Sequence, residues 1–298
     1  MDRYSAFAVT RVGELHLRNN IVCQDYSMAI NNEDFVFSAV ADGHGSQHYL
    51  RTDRGSRMAV ESAFDCVSEF LDSIEDTQQF ISNGAMRDMM LEELWFNIVT
   101  RWKARAESDF LNNPFTEEEL SRIPDEYAEY HQYYADGQFL SAYGTTLAFV
   151  VCTDDFAFCG QIGDGKCVTV ECSGIAADPV PDDPRCYNNI TTSMCQEDAE
   201  YSARFVFFPK EFIPPAFFIG TDGIQNSYLD IEQLHGFYRG LALNFAEFGY
   251  NEGIHRLAGF LPEMTKMGSG DDVSCAGVID IERLANSVNT LKSAVNFC

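Results

Sequence analysis

The hydrophobic patterning of this chain predicts an α+β fold, an antiparallel sheet system covered by long helices. Two observations carry that reading. Apolar runs of strand length, rich in valine and phenylalanine, occupy residues 4–41, return between residues 144 and 220, and appear a last time at 273–281. Between and after them, apolar residues recur at three- and four-residue spacing through residues 52–135, 229–248 and 253–264.

Taken in order, residues 4–12 read as a first strand and residues 13–25 as a polar loop carrying His16, Arg18, Asn19, Asn20, Gln24 and Asp25. Residues 26–30 and 35–41 form a hairpin across Asn31-Asn32-Glu33-Asp34, and the second strand runs into Asp42-Gly43-His44-Gly45. A helix follows, with Met58, Val60, Phe64, Val67, Phe70, Leu71 and Ile74 on one face. The helical pattern continues through Leu94, Trp95, Ile98, Val99 and Trp102. It breaks at Asn112-Asn113-Pro114 and restarts at the capping sequence Thr116-Glu117-Glu118-Glu119. Tyr127, Tyr130, Tyr133 and Tyr134 fit partial burial along a helix better than a ligand surface. Strands at 144–153, 156–162 and 166–171 precede an irregular stretch at 173–200, rich in Pro, Asp and Asn, which reads as a surface flap. Strands at 203–208 and 215–220 lead to the two later helical segments, the last strand and a short helical tail.

The chain has 298 residues, 46% of them hydrophobic and 24 of them phenylalanine, enough for a sizeable core and against disorder. No repeat or linker divides it, so residues 1–298 read as a single domain. A net charge of −26 argues against nucleic acid as a partner, because a phosphate backbone needs cationic side chains. No apolar run is long enough for a membrane span and Met1-Asp2-Arg3-Tyr4 is not a leader pattern, so the expected compartment is the cytoplasm. Ten cysteines form no Cys-x-x-Cys pair. Several fall inside apolar runs and read as reduced core residues rather than a disulfide framework.

Four carboxylate positions end probable strands: Asp42, Asp164, Asp222 and the pair Asp271-Asp272. Singly each has a plain explanation. Asp164-Gly165 suits a hairpin turn, Asp222 a helix cap, and Asp271-Asp272 a solvated loop. Their order is more specific. Gln24-Asp25, Asp42-Gly43-His44-Gly45, Gly144-Thr145-Thr146, Gly163-Asp164-Gly165-Lys166, Thr221-Asp222-Gly223 and Gly270-Asp271-Asp272 occur in one chain. The series, spanning about residues 4–281, resembles the metal-dependent serine/threonine protein phosphatase family, type 2C, in a bacterial-like variant.

The resemblance implies a four-layer α-β-β-α sandwich, with two stacked antiparallel sheets and a metal site in the cleft at their edges. It implies Asp42 as the carboxylate bridging two Mg²⁺ or Mn²⁺ ions, with the Gly43 carbonyl as a further ligand. Asp222 and Asp271 would complete the first metal, Asp25 would support the second, and Asp164 would help hold a possible third. His44 matches the general acid for the leaving alcohol. A phosphomonoester is an anion, so this chemistry calls for neutralising dications, an activated water and a proton donor near neutrality.

Three places depart from the family pattern, one of them Gly165-Lys166 where Ser-Arg is usual after Asp164. Gln24 stands where many members have glutamate, and Asn20 where many have the arginine that grips phosphate. Arg18, two residues further back, either reaches the cleft through a bulged loop or is a solvated loop arginine. Asp271 and Asp272 both suit the last ligand position, with Asp271 preferred by its place in the motif. The implied activity is metal-dependent hydrolysis of phosphoserine and phosphothreonine in a phosphoprotein substrate, with a cytosolic kinase or its targets as partners. The alternative is a phosphatase-like module that binds phosphoproteins without turnover, motivated by Gln24 and by Asn20 in place of the phosphate arginine. An acidic cation-binding structural protein rests on charge alone.

Overall fold

The computed structural model of the protein describes residues 3–187 and 190–295. Met1 and Asp2, part of the stretch read for a leader, and Cys298 lie outside them. The chain opens with strand β1 (Ser5–Arg11) and a short helix α1 (Glu14–Asn19), then the hairpin of β2 (Tyr26–Asn31) and β3 (Phe35–Ala41). The helix corrects the reading of residues 13–25 as loop. Six residues are too few to show a helical period, and the stop comes from Asn20, which takes a left-handed φ of 53° and donates its N–H to the carbonyls of His16 and Leu17.

Helices α2 (Thr52–Asp72), α3 (Thr77–Ser82), α4 (Gly84–Asn112), α5 (Glu117–Leu120) and α6 (Glu129–Ala135) form the predicted helical tract. At α5 the expected capping box is present: Thr116 and Glu119 each accept the other's backbone N–H. The second half supplies β4 (Leu147–Thr153), β5 (Phe156–Ile162), β6 (Lys166–Val170) and a two-residue β7 (Ala176–Ala177) at the start of the flap. Then come β8 (Arg204–Pro209), β9 (Ala216–Gly220) and the single turn α7 (Asp222–Gln225). The long α8 (Ile231–Met267), β10 (Val273–Ile279), α9 (Ile281–Asn286) and α10 (Val288–Val295) follow. Helix α8 bends at Gly249, whose φ of 75° suits only glycine, and the bend separates the two helical segments seen in the sequence.

Two antiparallel five-stranded sheets result, in the orders β1-β10-β9-β6-β7 and β2-β3-β4-β5-β8. Strand β3 shows why they stack. Phe35, Phe37, Ala39 and Ala41 point to the core under α2 and α4, with Trp95, Trp102, Phe149 and Phe158, while Val36 and Val40 join Val150, Phe217, Ile219 and Val278 between the sheets. A third core sets Phe7 and Phe218 of the other sheet against Phe245 and Leu261 of α8. Each fully buried Phe or Leu contributes about 1.5–3 kcal/mol. The order of layers is therefore helix, sheet, sheet, helix, as the resemblance implied.

The cysteines among the described residues are free, and Cys152, Cys159 and Cys167 pack between the sheets. The tyrosines of the helical tract divide. Tyr134 is buried, whereas Tyr127 and Tyr130 close round the His48 ring, their centroids 4.4 and 4.0 Å from it. No described helix is long and apolar enough to cross a membrane.

Close packing of α2 on the chain before β4 gives a first prediction. A β-carbon at Gly55 would lie 1.9 Å from the Tyr143 carbonyl oxygen, and Trp102 Nε1 donates to the Gly55 carbonyl at 3.0 Å. Gly55→Ala is expected to lower the urea midpoint by an amount equivalent to about 2 kcal/mol, because the helix must lift off its neighbour. A midpoint unchanged in equilibrium unfolding would contradict this packing.

Candidate active site

Strand β3 ends in a turn clamped by the segment before β4. The Asp42 N–H donates to Thr146 Oγ1 at 3.1 Å, and its carbonyl accepts Thr146 N–H and Thr145 Oγ1, both at 2.9 Å. The Gly43 N–H donates to the Gln24 carbonyl at 3.2 Å and the His44 N–H to the Gly144 carbonyl at 3.1 Å. Beyond the turn lies a cleft of about 1130 Å³. Asp42, Gly43 and His44 of this turn line it, joined by Asp164, Asp222 and Asp271 from three other parts of the sequence.

The carboxylates work against one another. Burial pushes Asp42 well above the usual carboxylate range, and Asp222 and Asp25 add repulsion. Asp222 opens α7 and is pushed up to about 6, by burial first and then by Asp164 and Asp271. Asp42, within hydrogen-bonding reach, partly offsets this. Asp164 accepts from the flap hydroxyl of Thr191 at 2.9 Å. Among the described residues no three His, Cys, Asp or Glu side chains are already gathered at coordinating distance. The convergence is one of carboxylates round a shared cleft whose described lining includes no lysine or arginine. Hard oxygen donors that repel one another round a shared cleft are the donor chemistry a Mg²⁺ or Mn²⁺ ion fits.

The Asp271-Asp272 pair divides by environment. Asp272 accepts the N–H of Gly13 at 2.7 Å and of Gln24 at 2.6 Å, and stands 2.9 Å from His16 Nδ1. Burial works against ionisation, yet His16 and these N–H donors outweigh it and hold the carboxyl below its usual range. Asp272 is thus committed to binding two loops together. Asp271 keeps a half-exposed side chain that among the described residues accepts only the Asp272 N–H, at 2.8 Å, and so remains available to the cleft.

Two expected site residues are not brought to this cleft. Arg18 lies on α1 with its side chain exposed, paired to Glu14 one turn earlier at 2.9 Å, because the stretch is helical rather than a bulged loop. Asp25 is buried beside the cleft, where it accepts from Thr221 Oγ1 at 2.7 Å and borders a separate groove with Tyr26 and Ile254. Burial pushes its carboxyl well above the usual range. Gln24, the preceding residue, faces the cleft instead.

His44 Nε2 lies 2.7 Å from Ser193 Oγ of the flap. Burial, with help from the neighbouring His48, pulls its pKa down to about 4, so the free imidazole is neutral at pH 7. The flap was visible in the sequence as an irregular stretch, but nothing local marked Thr191 or Ser193 as reaching Asp164 and His44. Nor does any spacing connect His16 with Asp272.

The family model described as Protein phosphatase 2C matches residues 12–261. A search of curated protein sequences finds no match. The fold is similar to that of PppA, a key regulatory component of T6SS in Pseudomonas aeruginosa, at 16% identity and a TM-score of 0.55, covering 93% of this chain and 98% of that one. It is also similar to the serine/threonine phosphatase Stp1 from Staphylococcus aureus, at 13% identity and a TM-score of 0.54, covering 92% and 94%. A third similar structure is the catalytic domain of the serine/threonine protein phosphatase PstP in complex with two manganese ions, at 13% identity and a TM-score of 0.52, covering 93% and 98%. With the match over most of its length, the chain belongs to the protein phosphatase 2C family.

Proposed function

We propose that this protein hydrolyses phosphoserine and phosphothreonine in protein substrates with the help of Mg²⁺ or Mn²⁺. The observation that carries the reading is the cleft itself, where carboxylates and His44 converge and the described lining offers a phosphate dianion no cationic side chain. Asp42, Asp222 and Asp271 are the residues that would hold the ions, with Asp164 and the Gly43 carbonyl as further ligands. Asp25 stands behind them as a buried carboxyl, and Gln24 presents an amide where a carboxylate is common. Ions bound there supply neutralising charge for the phosphate and lower the pKa of an attacking water.

The residues of the chain do the rest. The Thr145-Thr146 clamp fixes the Asp42 backbone, and Asp272 pins the Gly13 and Gln24 loops that border the cleft. His44 donates the proton to the departing seryl or threonyl oxygen, a poor leaving group when unprotonated. A phosphate dianion entering the cleft raises the basicity of the imidazole, moving it from neutral toward the protonated form the role needs.

Phosphate release from phosphoserine and phosphothreonine peptides is expected in Mn²⁺ or Mg²⁺ and is expected to vanish on chelation. No release with either ion would overturn the reading. Gln24 in the cleft and Arg18 outside it favour, as a second reading, a module that binds phosphoproteins without turnover. Calorimetry showing phosphopeptide binding by a protein that releases no phosphate would select it.

A further inference from the structure

We propose that Ser193 is a positioning residue for His44, a flap hydroxyl that holds the imidazole by Nε2 and leaves Nδ1 to face the leaving group. The inference rests on the general-acid reading of His44.

Ser193 is 3% exposed and belongs to a fixed part of the flap. The next residue, Met194, is fully buried in the core under α2 and α4, and its N–H donates to the Thr145 carbonyl at 2.9 Å. The Ser193 N–H donates to Gln196 Oε1 at 3.3 Å. Around Ser193 Oγ stand the Thr145 carbonyl at 3.2 Å, the Cys195 N–H at 3.4 Å, the Cys195 thiol at 3.2 Å and His44 Nε2 at 2.7 Å.

A hydroxyl has one proton and two acceptor lone pairs. In the protonated ring that acts as the acid both nitrogens carry hydrogen, so Nε2 donates to Ser193 Oγ, whose own proton then turns to the Thr145 carbonyl, which can only accept. Nδ1 makes no hydrogen bond to the described residues and is not among their buried unpartnered atoms, so it is the ring nitrogen open to the cleft that His44 lines. Tyr49 packs against the ring with centroids 4.9 Å apart and limits its rotation. Thr145 also donates its hydroxyl to the Asp42 carbonyl, so one peptide segment sets Asp42 and, through Ser193, His44. In the reaction, the P–O bond breaks with its electron pair going to the seryl oxygen, which takes the Nδ1 proton. Water adds to phosphorus as hydroxide and gives its other proton to solvent.

A misplaced acid slows only reactions whose leaving group needs the proton. The test therefore compares a phosphoserine peptide with p-nitrophenyl phosphate, which loses a stable phenolate, on the Mn²⁺-loaded full chain. Ser193→Ala is expected to lower kcat on the peptide about 10- to 100-fold, with KM within about twofold, and to leave aryl phosphate turnover nearly intact. That retained turnover also reports a folded cleft. Ser193→Thr, which keeps the hydroxyl, is expected to recover most of the peptide activity. His44→Ala serves as reference and should show the same substrate split, more strongly. If His44→Ala shows the split and Ser193→Ala slows both substrates alike or neither, the positioning role is wrong. If His44→Ala shows no split, the general-acid reading fails and the role of Ser193 falls with it.

Discussion

Asp42→Asn is expected to reduce phosphate release by about 10³-fold or more and, in chelator, to make the protein more resistant to heat at neutral pH. The first effect follows from removing the central carboxylate, since a metal pair contributes several kcal/mol of charge stabilisation to the transition state. The second follows from the charges already in the cleft. Burial and repulsion raise the folded-state pKa of Asp42 and Asp222 above the unfolded values, Asp222 to about 6. Between about pH 4 and pH 6 the folded protein therefore holds more protons than the unfolded chain, and stability falls as pH rises through that window. At one pKa unit per 1.36 kcal/mol, the Asp222 shift alone corresponds to a loss of about 3 kcal/mol across that window, and Asp42 adds to it in the same direction. An amide at position 42 has no ionisation to oppose, so the variant should keep only the Asp222 share of the slope. Added Mn²⁺ at pH 7 should raise the melting temperature of the wild type and much less that of Asp42→Asn. Thermal melts from pH 4 to 7, with chelator and with Mn²⁺, measure all of this. A flat wild-type profile in chelator would show that the carboxylates do not repel as the structure indicates.

Arg51→Met should destabilise the fold by about 3–5 kcal/mol at pH 7, the usual consequence of stranding one half of a buried ion pair. Arg51 is 3% exposed just before α2. Its guanidinium donates to both Glu119 oxygens at 2.8 and 3.0 Å, to the Asn113 carbonyl at 2.6 Å and to Tyr143 Oη at 2.9 Å, and it lies 4.5 Å from the Phe115 ring centroid. Methionine fills the volume but takes this donor from Glu119 Oε1, the Asn113 carbonyl and Tyr143 Oη, while Glu119 Oε2 keeps only its capping bonds from Thr116. The Arg51 contact also holds Glu119 down to about 2. A depressed carboxyl stabilises above its unfolded pKa and loses that contribution as pH falls through the folded value, so the gap between wild type and Arg51→Met should narrow from about pH 4 toward pH 2. Urea unfolding at pH 7 and pH 3 checks both. Equal midpoints at pH 7 would mean the pair contributes nothing beyond packing.

Much of this architecture was legible along the chain because it depends on neighbours. Strand β3 shows both of its faces in seven residues, phenylalanine and alanine toward the helices, valine toward the second sheet. The stops at Asp42, Asp164 and Asp222 are readable because a carboxylate beside glycine at the end of an apolar run is a local event. Helix α1 escaped because six residues carry too little period, and with it escaped the position of Arg18, which a helix turns toward Glu14 and away from the cleft. Backbone partners far along the chain decided which of two adjacent acids is free. Asp272 also borders the cleft but is taken by the N–H groups of Gly13 and Gln24, which leaves Asp271 free toward it, and Asp25 turns to Thr221 while Gln24 does not. Ser193 and His44 are 149 residues apart, and only the packing of the flap on the Thr145 carbonyl brings them within 2.7 Å. Composition and periodicity report what a residue does with its near neighbours. The hydrogen bonds that aim these side chains join distant segments and exist only once the two sheets have stacked.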